Sequence, residues 1–252
     1  MRAPALAALA LALQGAPARA QALIASVSTD RVAITSTYTG AEVAVFGVVG
    51  PVEGAQPRDP GVVITVRGPR QRLVLREKER LGPIWINLQS QKLLEVPSYL
   101  AVLASRPLSE IADERRRRRL GVGLDAIVAG RDFEPWRGPA DEGFRRALVR
   151  LRAEDDLYLE DVGGVSFVAP HVFRSAVPLP AKAPPGLYDV DVALFSDGVL
   201  VARSQTLFEL YKTGAEQRVG DLARGWPALY GSGVAALALL FGWLASVIFR
   251  RD

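Results

Sequence analysis

The stretch GLYDVDVALFSDGVLVARSQTLFEL, residues 186–210, decides the fold. Tyr188, Val190, Val192 and Leu194 alternate with Asp189, Asp191 and Ala193. That period of two is the pattern of a strand with one face buried and one face wet. Asp197-Gly198 follows, two residues that tolerate positive φ and so favour a tight hairpin. The return stretch sets Leu200, Ala202, Ser204, Thr206, Phe208 and Leu210 on one face. Ahead of the pair, Pro184-Pro185-Gly186 is a turn signal.

Working outward, the same pattern repeats in short segments. Arg31 to Tyr38 puts Val32, Ile34, Ser36 and Tyr38 on one face, and Thr39-Gly40 turns the chain. Glu42 to Val49 is apolar on both faces, as expected of a central sandwich strand. Val62 to Val66, Arg72 to Arg76, Ile84 to Leu88 and Tyr99 to Leu103 continue the series. Val165 to Val168 and His171 to Val177 lead back to the starting hairpin. Short strands with regular turn signals predict an antiparallel sandwich. A Tyr near the start of the penultimate strand is similar to an immunoglobulin-like domain, where that hydroxyl bonds back to the backbone. The likeness concerns fold alone.

Two segments read as helices instead. Leu108 to Leu120 is one, with Ser109 as its expected cap. Asp141 to Leu159 is the other, with Phe144, Leu148 and Leu151 on one face. A Gly- and Pro-rich stretch from Gly121 to Pro139 links them. The expected fold is therefore mainly β: one or two immunoglobulin-like antiparallel sandwiches with a helical insertion, plus a C-terminal transmembrane helix. The expected boundaries are a signal peptide at 1–20, β-rich parts at 21–106 and 161–215, and the helical insertion at 107–160. A linker at 216–227, the membrane helix at 228–249 and a tail at 250–252 complete the chain.

The two ends set the expected location. Residues 1–20 carry Arg2, a short apolar run from Ala5 to Leu13, and Ala18-Arg19-Ala20, which fits a cleaved secretory signal. Residues 228–249 form 22 uncharged residues, enough to cross a hydrocarbon core of about 30 Å as a helix. Trp226 and Tyr230 suit the outer interface, and Arg250-Arg251 the cytoplasmic side. The expectation is a single-pass protein of the inner (cytoplasmic) membrane, with its bulk in the periplasm and its C-terminus in the cytoplasm. On the helix, Gly231, Ala235, Ala238, Gly242 and Ala245 recur at intervals of four and three residues. Such a small-residue stripe lets a second helix approach closely.

Composition narrows the chemistry. Cysteine is absent, which excludes disulfides, thiolate nucleophiles and cysteine–metal sites. The one His is His171 and the one Met is Met1, so sites needing two imidazoles or a Met–His copper set are not expected. Of 31 basic and 27 acidic residues, four basic and one acidic lie in the two ends, leaving 27 and 26 between them. That near-neutral centre is no footprint for nucleic acid. No cofactor is expected.

Four local motifs carry candidate chemistry. Arg115 to Arg119 could meet anionic headgroups or an acidic partner, but reads first as a solvated helix face. Gly121-Val122-Gly123-Leu124-Asp125-Ala126 has the form of a dinucleotide fingerprint, yet follows an Arg-rich helix where a strand is needed, and reads as a helix end. Glu154, Asp155, Asp156, Glu160 and Asp161 form an acidic patch without EF-hand spacing. His171 has no nucleophile motif beside it.

Several stretches together resemble an uncharacterised family of putative transmembrane proteins from alphaproteobacteria. They are Ser28 to Ile34, Val45-Phe46-Gly47, Val63 to Pro69, Trp85-Ile86-Asn87, Val96-Pro97-Ser98-Tyr99 and the Tyr188 hairpin. The resemblance brings no catalytic residues with it. It implies an accessory role beside sulfite-exporter-type permeases. The expected function is thus a non-enzymatic, membrane-anchored periplasmic accessory or interaction protein, docking to a polytopic membrane protein or to itself. The alternative is a periplasmic solute-binding module or an enzyme acting through carboxylates or Arg residues.

Overall fold

A computed structural model describes residues 23–249 except 36–37, 52–56, 58, 82, 131–140, 214–222 and 224. The expected signal peptide, the tail and most of the linker lie outside the described residues.

Strands run in the order β1 (Leu23–Val27), β2 (Arg31–Ile34), β3 (Gly40–Val49), β4 (Gly61–Arg67), β5 (Arg70–Leu81), β6 (Ile84–Pro97) and β7 (Leu100–Ala104). Four helices follow: α1 (Leu108–Ile111), α2 (Glu114–Leu120), α3 (Leu124–Val128) and α4 (Asp141–Glu154). The chain returns to strand with β8 (Tyr158–Val162), β9 (Val165–Ala169), β10 (Val172–Pro180), β11 (Gly186–Ser196) and β12 (Val199–Lys212). It closes with α5 (Pro227–Phe249).

The fold is mainly β. One sheet has the order β1-β3-β10-β9, the second β2-β12-β11-β4-β7-β8, and β5-β6 pair as a separate ribbon. Strands from before and after the helices interleave, because β10 pairs with β3 and β11 with β4. The two sheets share one apolar core, in which Val43, Val45, Phe173 and Val177 meet Val62, Ile64, Val190 and Val192. Burying each such side chain is worth about 1.5–3 kcal/mol.

The starting hairpin forms as its pattern predicts. β11 buries Tyr188, Val190, Val192 and Leu194, and the turn holds Asp197 at φ 50° and Gly198 at φ 77°. The Tyr188 hydroxyl donates to the Pro184 carbonyl at 2.7 Å. Its ring stacks on Phe208 at 5.0 Å and tilts against Tyr99 at 5.7 Å. The Tyr99 hydroxyl in turn donates to the Pro178 carbonyl, tying the second sheet to β10 of the first. Gly47 serves another close approach: a Cβ there would come within 2.4 Å of the Ile24 carbonyl oxygen and of the Phe173 ring.

Five expectations need correction. The sheets are not wholly antiparallel: β2 lies parallel to β12, and β8 parallel to β7. β3 is buried on one face only, with Phe46 and Val48 exposed on the other. Alternation decides this, since nothing described covers the outer face of that sheet there. The first helical segment breaks at Ala112, which is extended, and Asp113 rather than Ser109 caps α2 by accepting the Arg116 amide at 2.8 Å. The second helix stops at Glu154, because Asp156 turns left-handed at φ 57° and Tyr158 enters β8. There its buried hydroxyl donates to the Pro97 carbonyl at 2.8 Å. Finally, His171 sits in the exposed turn between β9 and β10, not in a strand. The predicted Arg31–Tyr38 strand is regular to Ile34; residues 36 and 37 lie outside the described set.

Candidate functional site: an arginine-lined cleft and an exposed apolar helix

The face of the second sheet that points away from the core begins as ordinary alternation. On β11 the residues of this face are Asp189, Asp191 and Ala193, of which only Asp189 is exposed. Register sets Asp189 beside Arg67 of β4 and Leu207 of β12, and Asp191 beside Thr65 and Gln205. A solvated face would leave these charges wet. Here the helical insertion folds over part of the face, burying Leu108, Ile111, Ala126, Ile127 and Val128. Glu160 holds α3 in place by accepting the Leu124 amide at 2.8 Å.

Where that cover ends, a cleft of about 1110 Å³ remains. Its floor carries Arg67, Asp189, Asp191 and Arg203, and its walls carry Arg70, Arg118 and Arg119, with Leu120, Ala126, Ile127 and Leu207 as apolar lining. The Asp191 carboxylate is almost fully buried, with 4% of its side chain exposed. Arg203 grips it through two nitrogens, Nε to Oδ1 at 2.8 Å and Nη2 to Oδ2 at 2.6 Å. Arg67 Nη1 lies 3.8 Å from the same carboxylate, while Arg67 Nε is buried with no hydrogen-bond partner among the described residues. The planar guanidinium fork of Arg203 matches the two oxygens of this carboxylate.

Part of the Arg115–Arg119 run reaches this cleft. Arg118 and Arg119 line it, whereas Arg115 points to solvent and Arg116 donates to the Gly198 carbonyl at 2.7 Å. Gly121 ends α2 in the left-handed conformation at φ 63°, and Gly123 precedes α3. The glycine motif therefore joins two short helices and follows no strand. The acidic patch disperses: Asp155 pairs with Lys182, Glu154 with Arg150, and Glu160 caps α3. The Lys182 ammonium holds the Asp155 carboxyl below its ordinary range. Among the described residues no three metal-ligating side chains come together.

The second feature is α5. Its 23 residues carry no charged side chain. Leu239, Leu240 and Phe241 are all exposed, at 76%, 53% and 65%. Successive residues lie about 100° apart, so the helix is apolar around its whole circumference. Gly231, Ala235, Ala238, Gly242 and Ala245 are exposed along it. A Cβ built at Gly231 or Gly242 would meet nothing within 4 Å. The side chains are described without a break over residues 230–245, and among the described residues no helix is long and apolar enough to cross a membrane.

A family model described as "Putative transmembrane protein (Alph_Pro_TM)" matches residues 22–251. The chain belongs to the Alph_Pro_TM family. The match takes in both sheets, the helical insertion and α5, so these are parts of one Alph_Pro_TM unit. No functionally curated protein matches this Alph_Pro_TM chain.

The arginine cleft was missed in the sequence. Arg67, Arg70, Arg118 and Arg203 are far apart along the chain, and each alone reads as a surface residue. One signal was present: Asp191 is a charge in the middle of the most apolar strand pair, where a cation has to lie across it.

Proposed function

We propose that this Alph_Pro_TM protein is a membrane-anchored accessory or interaction protein without catalytic activity. Its α5 crosses the cytoplasmic membrane once, with the β-rich region in the periplasm and the C-terminus in the cytoplasm. The reading rests on the uncharged sequence of the whole of α5, Pro227–Phe249, because the described side chains at 230–245 are too short a run to cross by themselves. Twenty-three residues at 1.5 Å rise make about 34 Å, against a hydrocarbon core of about 30 Å. A helix that is apolar on every side has no stable home at a water-facing surface. Arg250 and Arg251 follow it directly, as a cytoplasmic stop would.

The β-rich region is read as an immunoglobulin-like sandwich. In support, β1-β3-β10-β9 has the order of strands A, B, E and D of that fold, and β12-β11-β4 the order G, F and C. The Tyr188–Pro184 bond is the counterpart of its tyrosine corner. In this reading the β5-β6 ribbon and the helices are insertions on either side of β7.

The small-residue stripe Gly231, Ala235, Ala238, Gly242 and Ala245 is the docking face, for a polytopic membrane protein of the sulfite-exporter permease type or for a second copy. Affinity purification of the full chain from detergent tests this. Wild type brings down a polytopic membrane protein or itself, and Gly242→Leu loses it because the added side chain holds the helices apart. Recovery of the same partner by both proteins would defeat the docking face. Release of the full chain into the soluble fraction without detergent would defeat the anchor.

A further inference from the structure

The membrane-anchored reading leaves the arginine cleft without a task. The geometry points to a binding site for a small organic polyanion, a molecule bearing two or more carboxylate, phosphate or sulfonate groups, with Arg67, Arg70, Arg118, Arg119 and Arg203 as its cations.

Five guanidinium groups and two carboxylates line the cleft, an excess of three positive charges. The Asp191–Arg203 pair is complete in itself and accounts for one of each sign. Arg67 is left with a long 3.8 Å contact to Asp191 and a buried Nε that bonds to nothing described. Arg70 has only a 3.7 Å contact with Glu95, both side chains being mostly exposed. Arg118 bonds Glu114 on its own helix, a pair that water screens heavily. Four of the five thus touch a carboxylate, but only Arg203 is held closely by a buried one, and all five line the one space.

The size of that space selects the ligand. A single inorganic oxyanion is too small to reach cations on β4, β5, α2 and β12 together. A volume of about 1110 Å³ belongs with sites for small organic molecules, which run to roughly 1,000 Å³. Ile127, Leu120 and Leu207 add apolar surface for a carbon skeleton. Arginine is the suited cation, because its fork takes carboxylate and phosphate oxygens in pairs.

Isothermal titration of the full chain in neutral detergent at low salt tests this, with citrate and pyrophosphate as probes and sulfate as the single-anion comparison. The expected result is saturable one-to-one binding of citrate or pyrophosphate, stronger than sulfate at equal ionic strength. Arg70→Gln/Arg119→Gln should weaken it by about tenfold or more. Arg115→Gln/Arg174→Gln removes the same charge outside the cleft and should leave it unchanged. A second measurement needs no variant: bound citrate should protect Arg70 and Arg119, but not Arg115, from phenylglyoxal, read by mass spectrometry. Absence of saturation by both citrate and pyrophosphate up to about 10 mM would overturn the site. So would equal weakening by the two double variants, or equal protection of Arg115.

Discussion

Alkaline pH should unfold this protein through three tyrosines. Tyr99, Tyr158 and Tyr188 are buried, and their hydroxyls donate to the carbonyls of Pro178, Pro97 and Pro184. Ionisation would strip each of its donor proton and leave an anion facing a carbonyl oxygen. Burial accordingly raises all three above the ordinary value of 10.0. In the unfolded chain each ionises at its ordinary value. A group with a raised folded pKa contributes stability that is complete below the unfolded value and is lost as pH climbs above it. One tyrosine costs about 1.4 kcal/mol per pH unit above about 10. Three together remove about 4 kcal/mol by about pH 11, a large share of the roughly 5–15 kcal/mol that holds a domain together. Urea unfolding of the full chain in neutral detergent, followed by circular dichroism from about pH 8 to about pH 11, measures the loss. Tyrosinate absorbance of the folded chain should show these three withheld from titration. Tyr158→Phe should lose about 1 kcal/mol at neutral pH with its hydrogen bond, yet flatten the alkaline slope by about a third. Titration of Tyr99, Tyr158 and Tyr188 near their ordinary value at undiminished stability, or an unchanged slope in Tyr158→Phe, would refute the reasoning.

Two further substitutions probe the sheets. Gly47→Ala drives a methyl group to 2.4 Å from both the Ile24 carbonyl and the Phe173 ring, and should cost about 3 kcal/mol in urea unfolding; a loss below about 1 kcal/mol would mean that β1 and β10 do not close on β3 as described. Asp191→Asn leaves Arg203 and Arg67 without their carboxylate and should cost about 2 kcal/mol, below the range for a wholly buried pair because both arginines are partly wet; adding Arg203→Met should recover part of the loss, and strictly additive losses would deny the pairing.

What could be read along the chain follows from interactions between near neighbours. The alternation of Tyr188, Val190, Val192 and Leu194 records one wet and one dry face whatever lies opposite. Asp197-Gly198 forms its turn because the backbone itself permits positive φ there. The run after Trp226 forms a helix in keeping with its many Ala and Leu residues, which favour helix locally. Where local signals were incomplete, tertiary contacts overrode them. Phe46 and Val48 look like core residues, yet their side of β3 has nothing described upon it. Tyr158 reads as the end of a helix, yet its ring is worth more in the core, and β8 forms beside β7 instead.

The arrangement of the whole was decided only in three dimensions. A propensity or a turn acts over a few residues, whereas Arg67 reaches Asp191, and Arg118 comes to line the same cleft as Arg203, only after β4, β11, β12 and the helical insertion have assembled. Strand order, the two parallel pairings and the cleft are all products of that long-range closure. The sequence by itself determined the β-rich character, the hairpin and the apolar terminal helix, since each rests on energies paid locally. The meeting of five arginines around one cavity rests on loop closures across the chain, for which no single stretch carries a signal.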